Sequence, residues 1–146
     1  MKITRRSMCV VYGLIGVLAL IGTWGNNLQY LHFGVVGGNV QFWRETLANP
    51  ASRSITVDIL FLSLAVTIWM LFEARRLAMR GVWLYVFFAV VVAVSFTFPI
   101  FMINRERALS AQEGSSPAGV LKPMDILGLC LLSIAFVAYT VVALMQ

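Results

Sequence analysis

NPASRSITVDILFLSLAVTIWMLFEARRLAM, residues 49–79, reads as one long helix whose middle crosses a lipid bilayer and carries a single carboxylate, Asp58, below the surface. Asn49 can cap the free backbone N–H groups, and Pro50 suits the first helical position because it has no N–H to lose. From Ile55 to Phe72 only Asp58, Ser63 and Thr67 interrupt the apolar run, and Glu73 with the Arg75-Arg76 pair marks the exit into water. Asp58 lies about 12 Å along the helix from Pro50 at 1.5 Å per residue, just beneath the head groups. At 100° per residue Asp58 shares a face with Ala65, Trp69 and Arg76, while Thr56, Ser63 and Thr67 line the opposite one. Two polar sides are what a helix needs when both contact other helices or subunits.

Composition widens this reading to the whole chain. The 146 residues are 60% hydrophobic and 12% charged, with mean hydropathy +0.88, against about 45–50% apolar and about 25% charged in soluble domains. A span needs about 20 mostly apolar residues. Four stretches qualify, approximately 8–30, 55–72, 82–103 and 124–145. The expected fold is therefore all-α: one transmembrane domain over 1–146, an antiparallel up-down four-helix bundle, with no room for a soluble catalytic module. Between helices one and two, Asn39 to Ala48 is either a short interfacial helix, with Phe42, Trp43 and Leu47 toward lipid, or an ordered loop.

A signal peptide is the rival reading of the N-terminal apolar run. No small-x-small cleavage pattern follows it, so a retained first span is expected. Gly13, Gly16, Gly22 and Gly25 would let it approach its neighbours closely. Helices two and three should form a tight pair across Met79–Gly81. Pro99 inside helix three frees the carbonyl of Ser95 and should kink it, with Ser95 and Thr97 beside the gap. Asn104 to Lys122, with its ALSAQEGSSPAG run, reads as a mobile loop, and Asp125 as an acid in the first turn of helix four.

The net charge of +5 sits on the tails and loops and suits anionic lipid head groups, not nucleic acid. With the N-terminus inside, the inner side carries six Lys and Arg (2, 5, 6, 75, 76, 80) and the outer side five (44, 53, 105, 107, 122). The inner charges are packed into a short tail and a tight turn, which orients both termini toward the cytoplasm.

Alternating helix directions then gather the polarity under the outer leaflet. Asn26, Asn27 and Tyr30 end helix one there, Arg53 and Asp58 begin helix two, and Ser95 and Arg105 end helix three. These seven are the candidate ligand-binding residues. An acid within a span is a functional-site hypothesis by default. The plainer reading has Asp58 accept hydrogen bonds from Asn27, or pair with Arg53 or Arg105, and fix helix register, a tie worth about 0.6–2 kcal/mol. Glu73 with Arg76 and Arg80 reads as solvated charge at an interface. His32 has no Cys or His at ligand spacing, Cys9 and Cys130 read as packing residues, and no metal or cofactor is implied.

The segments TWGNNLQYL, FW, NPASRSITVDILFLSLAVTIWMLFEARRL, WLYV and SFTFPIFMINRER, spread over Thr23–Arg107, resemble a bacterial family of small four-span membrane proteins catalogued only as a domain of unknown function. The resemblance implies the four-span fold and carries no activity. In general plan alone the chain is similar to membrane-embedded terpenoid cyclases, and no residue matches a motif of theirs.

Two functions compete. One is a non-catalytic accessory subunit, or a binder of a small lipophilic molecule, with its polar pocket near the outer leaflet; its partners are membrane lipids and another membrane protein or a second copy. The other is a small enzyme acting on an isoprenoid or lipid, with Asp58 as general acid held neutral in a dry pocket and Asn27, Tyr30 and Arg105 positioning substrate.

Overall fold

The computed structural model describes residues 2–113, 119–120 and 123–144. Six α-helices dominate: α1 (Arg5–Asn27), α2 (Gly34–Glu45), α3 (Pro50–Arg76), α4 (Val82–Val91), α5 (Val94–Glu113) and α6 (Pro123–Leu144). A 3-10 helix, Leu28–Phe33, joins α1 to α2, and two short strands, β1 (Lys2–Ile3) and β2 (Gly119–Val120), pair antiparallel. The all-α expectation holds.

The local signals around α3 act as the residue types require. The Asn49 side chain accepts from the Ser52 N–H at 2.9 Å, and Ser52 Oγ accepts from the Asn49 N–H at 3.3 Å, a reciprocal capping box with Pro50 as the first helical residue. At the other end the Met79 N–H reaches back to the Ala74 carbonyl at 2.8 Å and the Ala78 N–H to the Arg75 carbonyl at 3.3 Å. These are the two bonds of a Schellman motif. They place Ala78 at φ 52°, in the left-handed region that L side chains resist. Gly81, at φ 74°, then completes the turn into α4.

The apolar run expected to cross once over 82–103 is instead two helices folded back on each other. α4 ends at Val91, the chain reverses at Val92 and Ala93, and α5 returns alongside it. The Tyr85 and Phe101 rings meet edge to face with centroids 5.5 Å apart, and Asn104 Nδ2 donates to Tyr85 Oη at 2.6 Å. The third apolar run is therefore a hairpin of two helices, not one continuous helix. VWLYVFFAVV is β-branched and aromatic, hence a modest helix former, and the Trp24 indole N–H donates to the Val92 carbonyl at 3.2 Å, supplying the helix end with a partner. Pro99 is not the break. It lies in the second turn of α5, buried against Gly16 of α1, where an added Cβ would come within 3.4 Å of the proline Cβ.

α1 and α5 run antiparallel. Arg5 meets Glu106, Cys9 Sγ lies 3.9 Å from the Ile103 carbonyl, Gly16 meets Phe96 and Pro99, and Trp24 meets Val92. The segment 104–122, expected to be a loop, is helical as far as Glu113. Lys122 lies outside the described residues, as does the side chain of Asp125. The interfacial helix anticipated at 39–48 begins earlier, at Gly34, whose φ of 73° turns the chain back. α2 then packs on the 3-10 segment so closely that a Cβ at Gly38 would stand 2.7 Å from the Tyr30 carbonyl oxygen.

The buried core is small and one-sided. Met70 and Ala74 of α3 pack with Phe101 of α5 at the end where α1 begins, and Leu77 and Leu109 are buried as well. Trp69 closes it, its ring 5.8 Å from Phe98 and 5.9 Å from Phe101. The outer half of α3, from Pro50 to Ala65, reaches away from this core with most side chains exposed. Pairing of Lys2 with Val120 and Ile3 with Gly119 brings the start of α6 to the start of α1.

Candidate functional site: an ion-pair network between three helices

The polar side chains that converge do so at the Arg5 end. The α1–α5 pairing carries Glu106 to the first turn of α1, and the α3–α4 turn carries Glu73 beside α5. Arg5 Nη1 donates to Glu106 Oε2 at 3.0 Å, Arg105 Nη1 to Glu106 Oε1 at 2.9 Å, and Arg105 Nε to Glu73 Oε1 at 2.7 Å. Arg76 completes the chain, bonding both oxygens of Glu73 at 2.7 and 2.8 Å. Side-chain exposure is 5% for Glu106, 10% for Glu73 and 12% for Arg5, rising to 59% at Arg76, so the network runs from the interior to the surface. The Arg105 guanidinium also sits 5.8 Å from the centre of the Trp69 ring, a cation–π contact that fixes its direction.

Chemically this arrangement is a clamp. Each carboxylate accepts from two guanidiniums, so neither is free to take a proton from a substrate. Among the described residues no three His, Cys, Asp or Glu side chains gather to hold a metal ion. Removing one partner of such a group leaves a buried charge uncompensated, which costs about 3–5 kcal/mol. The clamp therefore ties α1, α3 and α5 together.

The seven residues selected from sequence are not brought together. Asn26 Nδ2 donates to the Gly22 carbonyl of its own helix at 2.8 Å, and Asn27 is half-buried at the α1 end without a side-chain capping bond. Tyr30 donates to Glu45, which also accepts from Gln41 Nε2 at 2.9 Å. Arg53 Nη1 donates to the Leu47 carbonyl at 2.9 Å. Ser95 is exposed in the first turn of α5. Asp58 is exposed and, among the described residues, has no hydrogen bond or ion pair with Asn27, Arg53 or Arg105. Arg105 is displaced furthest: because the hairpin reverses direction, it lies at the Arg5 end and not beside Asn26 and Asn27. What the outer end does assemble is a shallow groove in which Tyr30 and Phe42 face Ser52, Ile55 and Thr56 of α3.

Sequence reasoning does not single out Glu106 or Arg5, and Glu73, expected to be solvated, is buried. Their signal was present: EARR, NRER and the TRR of the N-terminal tail each abut an apolar run. The two glutamates are the acids of those three clusters; Glu106 lies between Arg105 and Arg107, and Arg75 and Arg76 follow Glu73 after one alanine. The remaining chemistry-bearing residues stay local. Cys9 and Cys130 are free, and His32 lies against Phe33 with its Nδ1 2.6 Å from the Gln29 carbonyl oxygen.

A family model matches residues 11–107, and its description is a protein of unknown function, DUF2834. No curated protein and no solved structure matches the chain.

Proposed function

Since the chain belongs to the DUF2834 family, whose description names no activity, we propose from its geometry that it is a non-catalytic integral membrane protein, an accessory subunit that binds a partner span along the outer half of α3. The observation that carries this is the condition of α3. Pro50–Arg76 is long and apolar enough to cross a membrane, yet only 6% of its apolar window is buried within the protein. A core helix of a soluble protein would be mostly covered. The helical run Arg5–Glu45 has the same character, again with 6% buried. Surface this apolar calls for lipid or another helix.

Asp58 narrows the choice between those two covers. An acid on a lipid-facing surface is expensive, and in membranes such residues face bundle interiors or partners. Its neighbours on the same face, Ala51, Ser54 and Ala65, are small and exposed, which permits a second helix to come close. The partner helix must offer an amide, hydroxyl or cation at the depth of Asp58.

Asp58→Asn should leave the thermal stability of the isolated protein in detergent unchanged, because no internal bond is lost, while reducing partner capture by a photo-crosslinking residue placed at Ala65. Capture of lipid alone at position 65, the same in the parent and in Asp58→Asn, would reject the accessory-subunit reading.

A further inference from the structure

We propose that the segment from Val82 to Arg107 enters and leaves the bilayer through the same face, so that Arg105 and Arg107 join the arginines of the α1 start and of the α3–α4 turn in one basic plate resting on anionic phospholipid head groups of the cytoplasmic leaflet. This rests on the membrane reading above and replaces the four-crossing topology.

Length argues first. α4 has 10 residues, about 15 Å at 1.5 Å per residue, and α5 from Val94 to Arg105 adds a return leg of about 18 Å. The hydrocarbon core is about 30 Å thick. Neither leg crosses it, and the contacts of Tyr85 with Phe101 and Asn104 hold the legs side by side. A reversal at that depth is tolerated only where protein covers its backbone. The Trp24 indole supplies the Val92 carbonyl with a donor at 3.2 Å, and Gly16 lets α1 close on Phe96 and Pro99 just past the turn.

Charge argues independently. With four crossings the basic residues divide six to five between the two sides, barely a bias. With the hairpin, positions 105 and 107 change sides, so eight basic residues (2, 5, 6, 75, 76, 80, 105, 107) share the near face, and Lys122 lies outside the described residues. The two left on the far side are Arg44 and Arg53. Such asymmetry is what membrane insertion reads. Within the plate Glu73 and Glu106 are taken up by Arg5, Arg76 and Arg105. Arg6, Arg75 and Arg80 are exposed and form no ion pair with an acid among the described residues. An anionic leaflet is the surface complementary to them. Because the β1–β2 pairing starts α6 at this same face, the far end of α6 lies on the opposite one, in place of the expected arrangement with both ends cytoplasmic.

The test uses the full chain with Cys9 and Cys130 replaced by serine and single cysteines introduced as Leu47→Cys, Arg80→Cys or Arg107→Cys, labelled by a membrane-impermeant maleimide. Position 47 should react in intact cells, and positions 80 and 107 only after permeabilisation. Labelling of 107 together with 47 in intact cells would restore four crossings and overturn the hairpin while leaving the membrane reading in place. Equal accessibility of 47 and 80 would overturn both. For the plate, the protein is extracted with its surrounding lipid from a membrane of phosphatidylglycerol and phosphatidylethanolamine. Arg75→Gln should lower the retained phosphatidylglycerol by about twofold, and Arg44→Gln should not. An equal effect of the two substitutions would overturn the anionic-lipid assignment.

Discussion

At the scale of single residues, the consequences are sharpest where a side chain has two obligations. Glu106 holds Arg5 with one oxygen and Arg105 with the other while only 5% of its side chain is exposed. Glu106→Gln keeps the shape and removes the carboxylate charge that Arg5 and Arg105 share, leaving Glu73 as the acid paired with Arg105. A loss of about 3 kcal/mol is expected in denaturation of the detergent-solubilised protein. Asp58→Asn, an identical chemical change at an exposed position, should cost nothing on the same measurement. Ala78 works in the opposite direction. It occupies the left-handed position that ends α3, at φ 52°, with a Cβ that disfavours it. Ala78→Gly should raise stability by about 1 kcal/mol, because glycine enters this region without that penalty. A loss of stability on that substitution would mean that the turn is not formed as described.

At the scale of elements, the reversal between α4 and α5 depends on a neighbour. Trp24→Phe keeps the aromatic bulk and removes the indole N–H, so the Val92 carbonyl loses its donor. The expected cost is about 1–3 kcal/mol, accompanied by faster amide exchange in residues 88–94 than in α3. Unchanged exchange there would show that the turn stands without the indole. This dependence explains what the sequence disclosed and what it withheld. Asn49, Pro50 and Ser52 announce the start of α3 because capping is a local transaction between adjacent residues. The EARR exit is equally local. Val92 and Ala93 carry no comparable mark, neither glycine nor proline, and the nearest proline, Pro99, draws attention to the wrong turn. The reversal is fixed by Trp24, 68 residues earlier in the chain, so a reading by composition and length sees a single run of sufficient length to cross. With the direction of the return leg hidden, sequence reading places Arg105 beside Asn26 and Asn27 instead of at the Arg5 end.

At the scale of the whole molecule, the protein is asymmetric along its long axis. One end has a packed core of Met70, Ala74 and Phe101 beneath a buried ion network. The other has a long apolar helix reaching past its own chain. Stability and association are thus assigned to different ends, and they should respond to different perturbations. Substitutions in the clamp should lower the melting temperature without altering what the outer half of α3 captures. Substitutions at Ala51, Ser54 or Ala65 should do the reverse. A double-mutant cycle on Arg5→Gln and Glu106→Gln, read by unfolding, should give a coupling within the 0.5–3 kcal/mol expected of residues in direct contact. A coupling near zero would mean that the two charges do not meet in the folded protein.

The two-residue ladder between Lys2–Ile3 and Gly119–Val120 carries a consequence for biogenesis. The strand Lys2–Ile3 serves as the mooring for α6, so docking of that helix waits on a segment synthesised more than a hundred residues before it. Trimming the first four residues, or fusing a bulky tag ahead of them, should therefore expose α6 to proteolysis at the opposite terminus while sparing α3.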